Sequence, residues 1–511
     1  MQHAPSSRNR PMPSSSTLSL GDAPLTLRDV AAIAAGTARF DLSEAARERV
    51  AAARRVVDRL VDEAVPAYGI TTGVGSQKDF AVDRAAIACY NDMMITGHAT
   101  LAPGPDAPKA VVRIALAIQL SLFARGRSGV RPVLVESLLE RLRADDLPGA
   151  RLGSSVGASD IVAMSQLAAP LIGRAGLGPG GRGPRPLDGL AAKEAVSLLN
   201  SNSLMLAEGC LALLEARALL DAANLAAALS MEGFRGNLRS WREEVDLGRG
   251  QPGQIRTGQA LRAALRGSRL LREGEARFLQ DPLSFRCVPQ IHGAAEAAYA
   301  FAESIFTAEL SALCDNPMID AETGEFLSHG NMESSACCLA MDTLRLALAK
   351  VIEASGQRIH KIQWPSFTGL PTSLAAEPGA IGGVQFLNFG HIAGAKVSAV
   401  RQAAGPALLN YSGQLDDGVE DVGGNAPQSI AETVRSFESA WTVVALETAC
   451  AVWAVHRRDV PVGEIGEGLR ALAQGVRDTL PIGREGQAIF DLGPVVDLVK
   501  AAGGHMQQEA F

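Results

Sequence analysis

A chain of 511 residues that is 47% hydrophobic can bury a large core, and its length allows two or three domains or one oversized one. Its 48 basic and 55 acidic residues give a formal charge of −7 and are mixed along the sequence, which argues against a surface for nucleic acid or anionic lipid and favours small-molecule chemistry. The seven cysteines are odd in number and show no CxxC pairing, so we expect reduced core residues in a cytoplasmic protein, with neither a disulfide framework nor a metal site.

In chain order, the first 22 residues are rich in Ser and Pro and read as a flexible tail rather than a signal peptide. The stretch "DAPKAVVRIALAIQLSLFARG" opens on Asp106 and Pro108, runs apolar at three- and four-residue spacing and stops at Gly126, the pattern of an N-capped helix with a glycine end. The Gly/Pro-rich run 173–186 reads as a flexible connection. The apolar run from Ser203 to Met231 is long enough to cross a bilayer, but it carries Glu208, Glu215, Arg217 and Asp221 and is expected to be a buried helix of a protein that does not enter the membrane. Segments 336–356, 385–409 and 429–457 have the same Ala/Leu/Val richness. Helices apolar on nearly every side belong inside a bundle. "MIDAETGEFLSH" is a hairpin candidate with its turn at Thr323-Gly324. The expectation is a mainly α protein: a mixed region over 23–200, then a long central helix bundle over 201–511.

Several stretches fit plain helical core poorly. "AYGITTGVGS" sets Tyr68 at the start of a Gly/Thr loop, which taken alone is a surface turn. "QDPLSFRCVPQIHG" gathers Gln280 and Arg286 among turn residues, where an arginine makes a structural ion pair or a two-pronged clamp for a carboxylate. Asn316 and Asn331 lie in tight turns, and Asn200 ends an apolar helix as a C-cap would.

Together and in this order, these segments resemble the aromatic amino acid ammonia-lyase family of histidine, phenylalanine and tyrosine ammonia-lyases and aminomutases. The resemblance runs from about Thr26 past Asp421. It rests on "YGITTGVG", "GRSGVRP", "SVGAS", "AAKEAVSLLN", "GQPGQI", "QDPLSFRCVPQIHG", "DNP" and "GNMES". It implies the fumarase/aspartase-like helical fold, a homotetramer with composite active sites, an amino acid or related carboxylate as substrate, and no nucleotide. It also implies a methylideneimidazolone electrophile made from the chain itself, with Ala158 and Ser159 as its first two residues. By the same resemblance Tyr68 is the base, Arg286 the carboxylate clamp, and Asn200 and Gln280 polar contacts near amine and electrophile. Asn316 and Asn331 are supports, Gly97 and His98 lie against the substrate side chain, and Glu420 with Asp421 matches a late acidic pair.

The chain departs from the family at its chemical centre. Where the pattern has Ala-Ser-Gly, this sequence has Ala158-Ser159-Asp160, and a side chain at the third position crowds the bend that ring closure needs. Leu283 replaces a tyrosine, and Met332 and Glu333 stand where an aromatic and a histidine are usual. Three readings follow: an ammonia-lyase or aminomutase acting on a histidine-type or aromatic amino acid with an unusual electrophile; an enzyme that dispenses with the electrophile and uses Tyr68 and Arg286 for elimination, addition or cyclisation; and a non-catalytic binding protein. The Tyr68 loop favours the first two over the third, and Asp160 and Leu283 favour the second over the first; by ancestry the ammonia-lyase reading stays the leading expectation, with the electrophile expected to be absent.

Overall fold

Helices carry the fold, as the apolar spacing predicts. The structure, a computed structural model, describes residues 17–177, 185–379, 387–482 and 489–510. Residues 1–16 of the expected tail and 178–184 of the Gly/Pro-rich connection lie outside them. The sequential division at residue 200 is not the one that the packing draws. One compact unit comprises the chain up to Leu211 together with Thr307–Ser334 and Tyr411–Gly424, and the other comprises Ala212–Phe306, Ser335–Asn410 and the chain from Asn425 on.

In the first unit, Thr17–Ser19 is a short strand paired in parallel with Arg39–Asp41, so the part of the tail from Thr17 is ordered. The helix Leu27–Ala34 joins the two strands. It begins at a capping box in which Thr26 Oγ1 accepts the Asp29 N–H and the Asp29 carboxylate accepts the Thr26 N–H. The apolar run after Pro108 is the helix Lys109–Ala124, ended by Gly126 at φ +69°. Its expected N-cap is corrected: Pro108 holds that position with no side-chain cap, and Asp106 instead pairs with Arg151 at 2.9 Å. The hairpin forms as read, with Met318–Asp320 antiparallel to Glu325–Leu327 and Gly324 at φ +74° in its turn.

The second unit is built on the helices Ser335–Gln363, Leu387–Ala403 and Ala426–Arg457. From Val443 to Val455 every residue of the last of these is buried, so the helix is enclosed on all sides. Glu447 lies inside that stretch and is neutralised by Arg358, with Nε–Oε1 2.5 Å and Nη2–Oε2 2.9 Å and both side chains wholly buried. Arg358 Nη1 also donates to the Ser284 carbonyl at 2.9 Å, fixing the Leu283–Arg286 turn. The run expected to be a buried helix is Ser203–Phe234, and its Arg217 is matched by Asp221 at 2.7 Å and Glu296 at 2.6 Å. No helix among the described residues is long and apolar enough to cross a membrane. None of the seven cysteines is in a disulfide; five are buried and Cys287 is partly so, but Cys89 is exposed and is not the core residue expected.

Candidate active site

The Tyr68 loop is closed by its own threonines. The Ala67 carbonyl accepts N–H groups from Ile70, Thr71 and Thr72, while Thr71 Oγ1 accepts the Ala67 N–H at 2.9 Å. Gly69 and Gly75 supply the positive φ values, +63° and +55°, that turn the chain back. The Gly75 N–H then donates to the Tyr68 hydroxyl at 3.1 Å. Burial is the main cause lifting the Tyr68 phenol above its ordinary pKa; the Gly75 N–H opposes it, and the carboxylates of Glu420 and Asp416 add to it.

Ala158-Ser159-Asp160 is held from both sides. Gly157 O accepts the Ser334 N–H at 3.1 Å and the Ser334 hydroxyl at 2.7 Å, and Ala158 pairs with Glu333 in an antiparallel bridge. Ser159 adopts φ +70°, strained for a residue with a side chain, and its hydroxyl donates to Asn200 Oδ1 at 2.5 Å. Asp160 is turned away. Its N–H donates to the Ser201 carbonyl at 2.8 Å, and its carboxylate accepts the Met205 N–H at 2.8 Å in the first turn of Ser203–Phe234. It therefore caps that helix. Burial raises the Asp160 pKa to about 6 against these hydrogen bonds, and Glu208 on the same helix is raised to about 7 by burial and by Asp160.

Asn200 ends the helix Glu194–Leu199, and its Nδ2 donates to the Asn316 carbonyl at 3.2 Å. Behind them, the buried Lys193 ammonium meets Asp315 at 2.6 Å and Ser197 at 2.9 Å. This ion pair ties the Asn200 helix to the turn that carries Asn316.

These pieces enclose a cavity of about 370 Å³ within the first unit. Tyr68, His98, Ala158, Ser159, Asn200, Asn316, Met332, Glu333 and Glu420 line it, as the sequence places them. Met94, Val196, Leu199, Val419 and Val422 form an apolar wall that the sequence does not single out. Asp416 and Asp421 join Glu333 and Glu420, so among the described residues the lining presents four carboxylates and no Lys or Arg. Burial raises the Glu420 pKa first and Asp416 raises it further, while the nearby His98 lowers it. A larger cleft of about 620 Å³ in the same unit has two of its three lining arginines already committed, Arg113 to Asp145 and Arg143 to Asp41, each at 2.8 Å.

The remaining expected site residues do not line the cavity. Asp160 lies behind it, and Gly97 is exposed beside His98. Asn331 donates to the Leu313 carbonyl at 3.2 Å and supports the turn carrying Met332. Gln280, Leu283 and Arg286 belong to the second unit, with Leu283 61% exposed and Arg286 Nε buried without a hydrogen-bond partner. Among the described residues no group of His, Cys, Asp or Glu could hold a metal ion.

Residues 25–478 match the aromatic amino acid lyase family. The chain belongs to that family. Its relatives include a histidine ammonia-lyase of Anaeromyxobacter sp. (strain K), 33% identical over 95% of this chain and 99% of the relative. Among solved structures it is similar to the ergothioneine-degrading enzyme ergothionase from Treponema denticola, at 27% identity and TM-score 0.89, covering 96% of this chain and 99% of the other. Tyrosine aminomutase from Streptomyces globisporus shares the fold, with TM-score 0.86 at 24% identity over 97% of this chain and 98% of that one. As an aromatic amino acid lyase, the protein is a carbon–nitrogen lyase acting on an amino acid.

Proposed function

We propose that this enzyme eliminates a quaternary amine from a histidine-type betaine, without a methylideneimidazolone electrophile. The observation that carries this reading is the placement of Asp160. Ring closure would need its amide nitrogen to attack the Ala158 carbonyl, yet that N–H is committed to Ser201 and its carboxylate to Met205. Those commitments do not fit the family's prosthetic group, and no step is derived through it.

Without an electrophile the amine must leave unaided. A trimethylated nitrogen has no lone pair with which to attack an electrophile, carries a permanent positive charge and departs as a neutral amine. The lining suits it: Glu333, Asp416, Glu420 and Asp421 supply diffuse negative charge, and among the described residues no Lys or Arg lines the cavity. Ergothioneine, which the similar ergothionase degrades, is a betaine of this kind.

In the reaction the Tyr68 phenolate takes the β-proton, the electrons of that C–H bond form the Cα=Cβ bond, and the Cα–N bond breaks with its pair passing to nitrogen. The substrate's positive charge, entering among the carboxylates, favours ionisation of the phenol. The imidazole lies between His98 and the apolar wall.

The test supplies L-histidine, its Nα-trimethyl betaine and the corresponding 2-thione, and follows the conjugated acrylate by absorbance and the released amine by mass spectrometry. We expect trimethylamine from a betaine and little ammonia from histidine, with Tyr68→Phe lowering kcat by about 10²-fold or more. Efficient ammonia release from histidine with both betaines inert would contradict the proposal.

A further inference from the structure

Asp416 does more than add charge to the cavity. Its Oδ2 accepts the Ser76 N–H at 2.9 Å across 340 residues of sequence. Only glycine at position 75 leaves room for it, since a Cβ there would lie 1.4 Å from that oxygen. The N–H of the same Gly75 is the donor to the Tyr68 hydroxyl at 3.1 Å. Carboxylate, turn and phenol therefore form one line of contacts.

The support on the other side is built for the purpose. Asp416 and Asp417 hold φ values of +51° and +54°, a conformation that side-chain-bearing residues keep only where the surroundings impose it. The surroundings are the paired bonds between Leu415 and Glu420, 2.8 and 3.2 Å, which close the segment on itself. Strain at Asp416 aims its carboxylate at the Gly75–Gln77 turn.

We propose that Asp416 is a positioning residue that latches the Gly75–Gln77 turn and so holds the Tyr68 hydroxyl in its reactive place. The inference rests on the reading of Tyr68 as the base. It has an electrostatic corollary, because the latch brings a negative charge to the phenol. The ionisable groups around Tyr68 are Asp416, Glu420 and Asp421 from residues 411–424, Tyr90 and His98 from the helix Ile87–His98, and Glu333. Burial and then Glu420 and Asp416 raise the phenol's pKa, so losing the Asp416 charge lowers it.

Two variants separate position from charge. Asp416→Asn keeps an acceptor for the Ser76 N–H and removes the charge; Asp416→Ala removes both. The chain has four tyrosines, so Tyr68 is read as the difference in alkaline tyrosinate absorbance between a given chain and the same chain carrying Tyr68→Phe. We expect Asp416→Asn to move that titration, and the rising limb of kcat/KM that Tyr68 ionisation sets, down by about half a pH unit. Asp416→Ala is expected to lower kcat about tenfold or more with a smaller change in KM, and to speed tryptic cleavage after Lys78 in the loosened loop. Unchanged kcat and unchanged cleavage in Asp416→Ala would overturn the latch, as would an unmoved Tyr68 titration in Asp416→Asn, which carries the test alone if the alanine chain does not fold. Titration and proteolysis need no substrate. An active Tyr68→Phe chain would instead refute Tyr68 as the base and leave those two readouts standing.

Discussion

At the scale of single residues, the burial of Asp160 makes a pH-dependent prediction. Its folded pKa, about 6, lies above the ordinary 3.8, so the folded state binds the proton more tightly than the unfolded chain does. Stability from this group is therefore full below pH 4, declines as pH rises toward 6, and is flat above. The loss is roughly 2–3 kcal/mol. Asp160→Asn, which keeps an acceptor for Met205, is expected to match the parent in urea unfolding near pH 4 and to exceed it at pH 8. Equal stability at both would refute the assignment. That Asp160 breaks the family pattern was legible in the sequence; where its carboxylate goes was not, because the helix turn it caps lies 45 residues further on. Asp416 was invisible for the same reason, having no local motif and a partner 340 residues away.

At the scale of elements, periodicity was enough to find the long helices. The enclosed helix Ala426–Arg457 follows from apolar residues on every face, and the hairpin from Thr323-Gly324 between alternating runs. Sequence failed where a tertiary contact overrode the local pattern. Asp106 sits at a plausible capping distance from its helix but is drawn to Arg151, and Thr17–Ser19 becomes a strand only because Arg39–Asp41 offers a partner. The buried pair Arg358–Glu447 joins four helices by also bonding Ser284 and Ser230. Arg358→Met strands Glu447 and frees the Leu283–Arg286 turn. It is expected to cost about 3–5 kcal/mol in chemical denaturation, and a loss under about 1 kcal/mol would show that the pair is not structural.

At the scale of the whole molecule, order in sequence and order in space part company. Residues 411–424 and 307–334 fold with the N-terminal part of the chain, which is how Glu420, Asn316 and Glu333 come to share one cavity with Tyr68 and His98. Comparison with the family pattern named ten residues of that lining; the apolar wall and Asp416 needed the fold. Membership in the aromatic amino acid lyase family makes the protein a carbon–nitrogen lyase, and the distinctive claim is that it works without the family's electrophile. The most direct measurement is the intact mass of the purified protein, with the tryptic peptide Leu152–Arg174 sequenced by tandem mass spectrometry. An enzyme without the electrophile has the mass of the unmodified sequence with Ala158-Ser159-Asp160 intact; loss of two waters localised to those three residues would refute that chemistry.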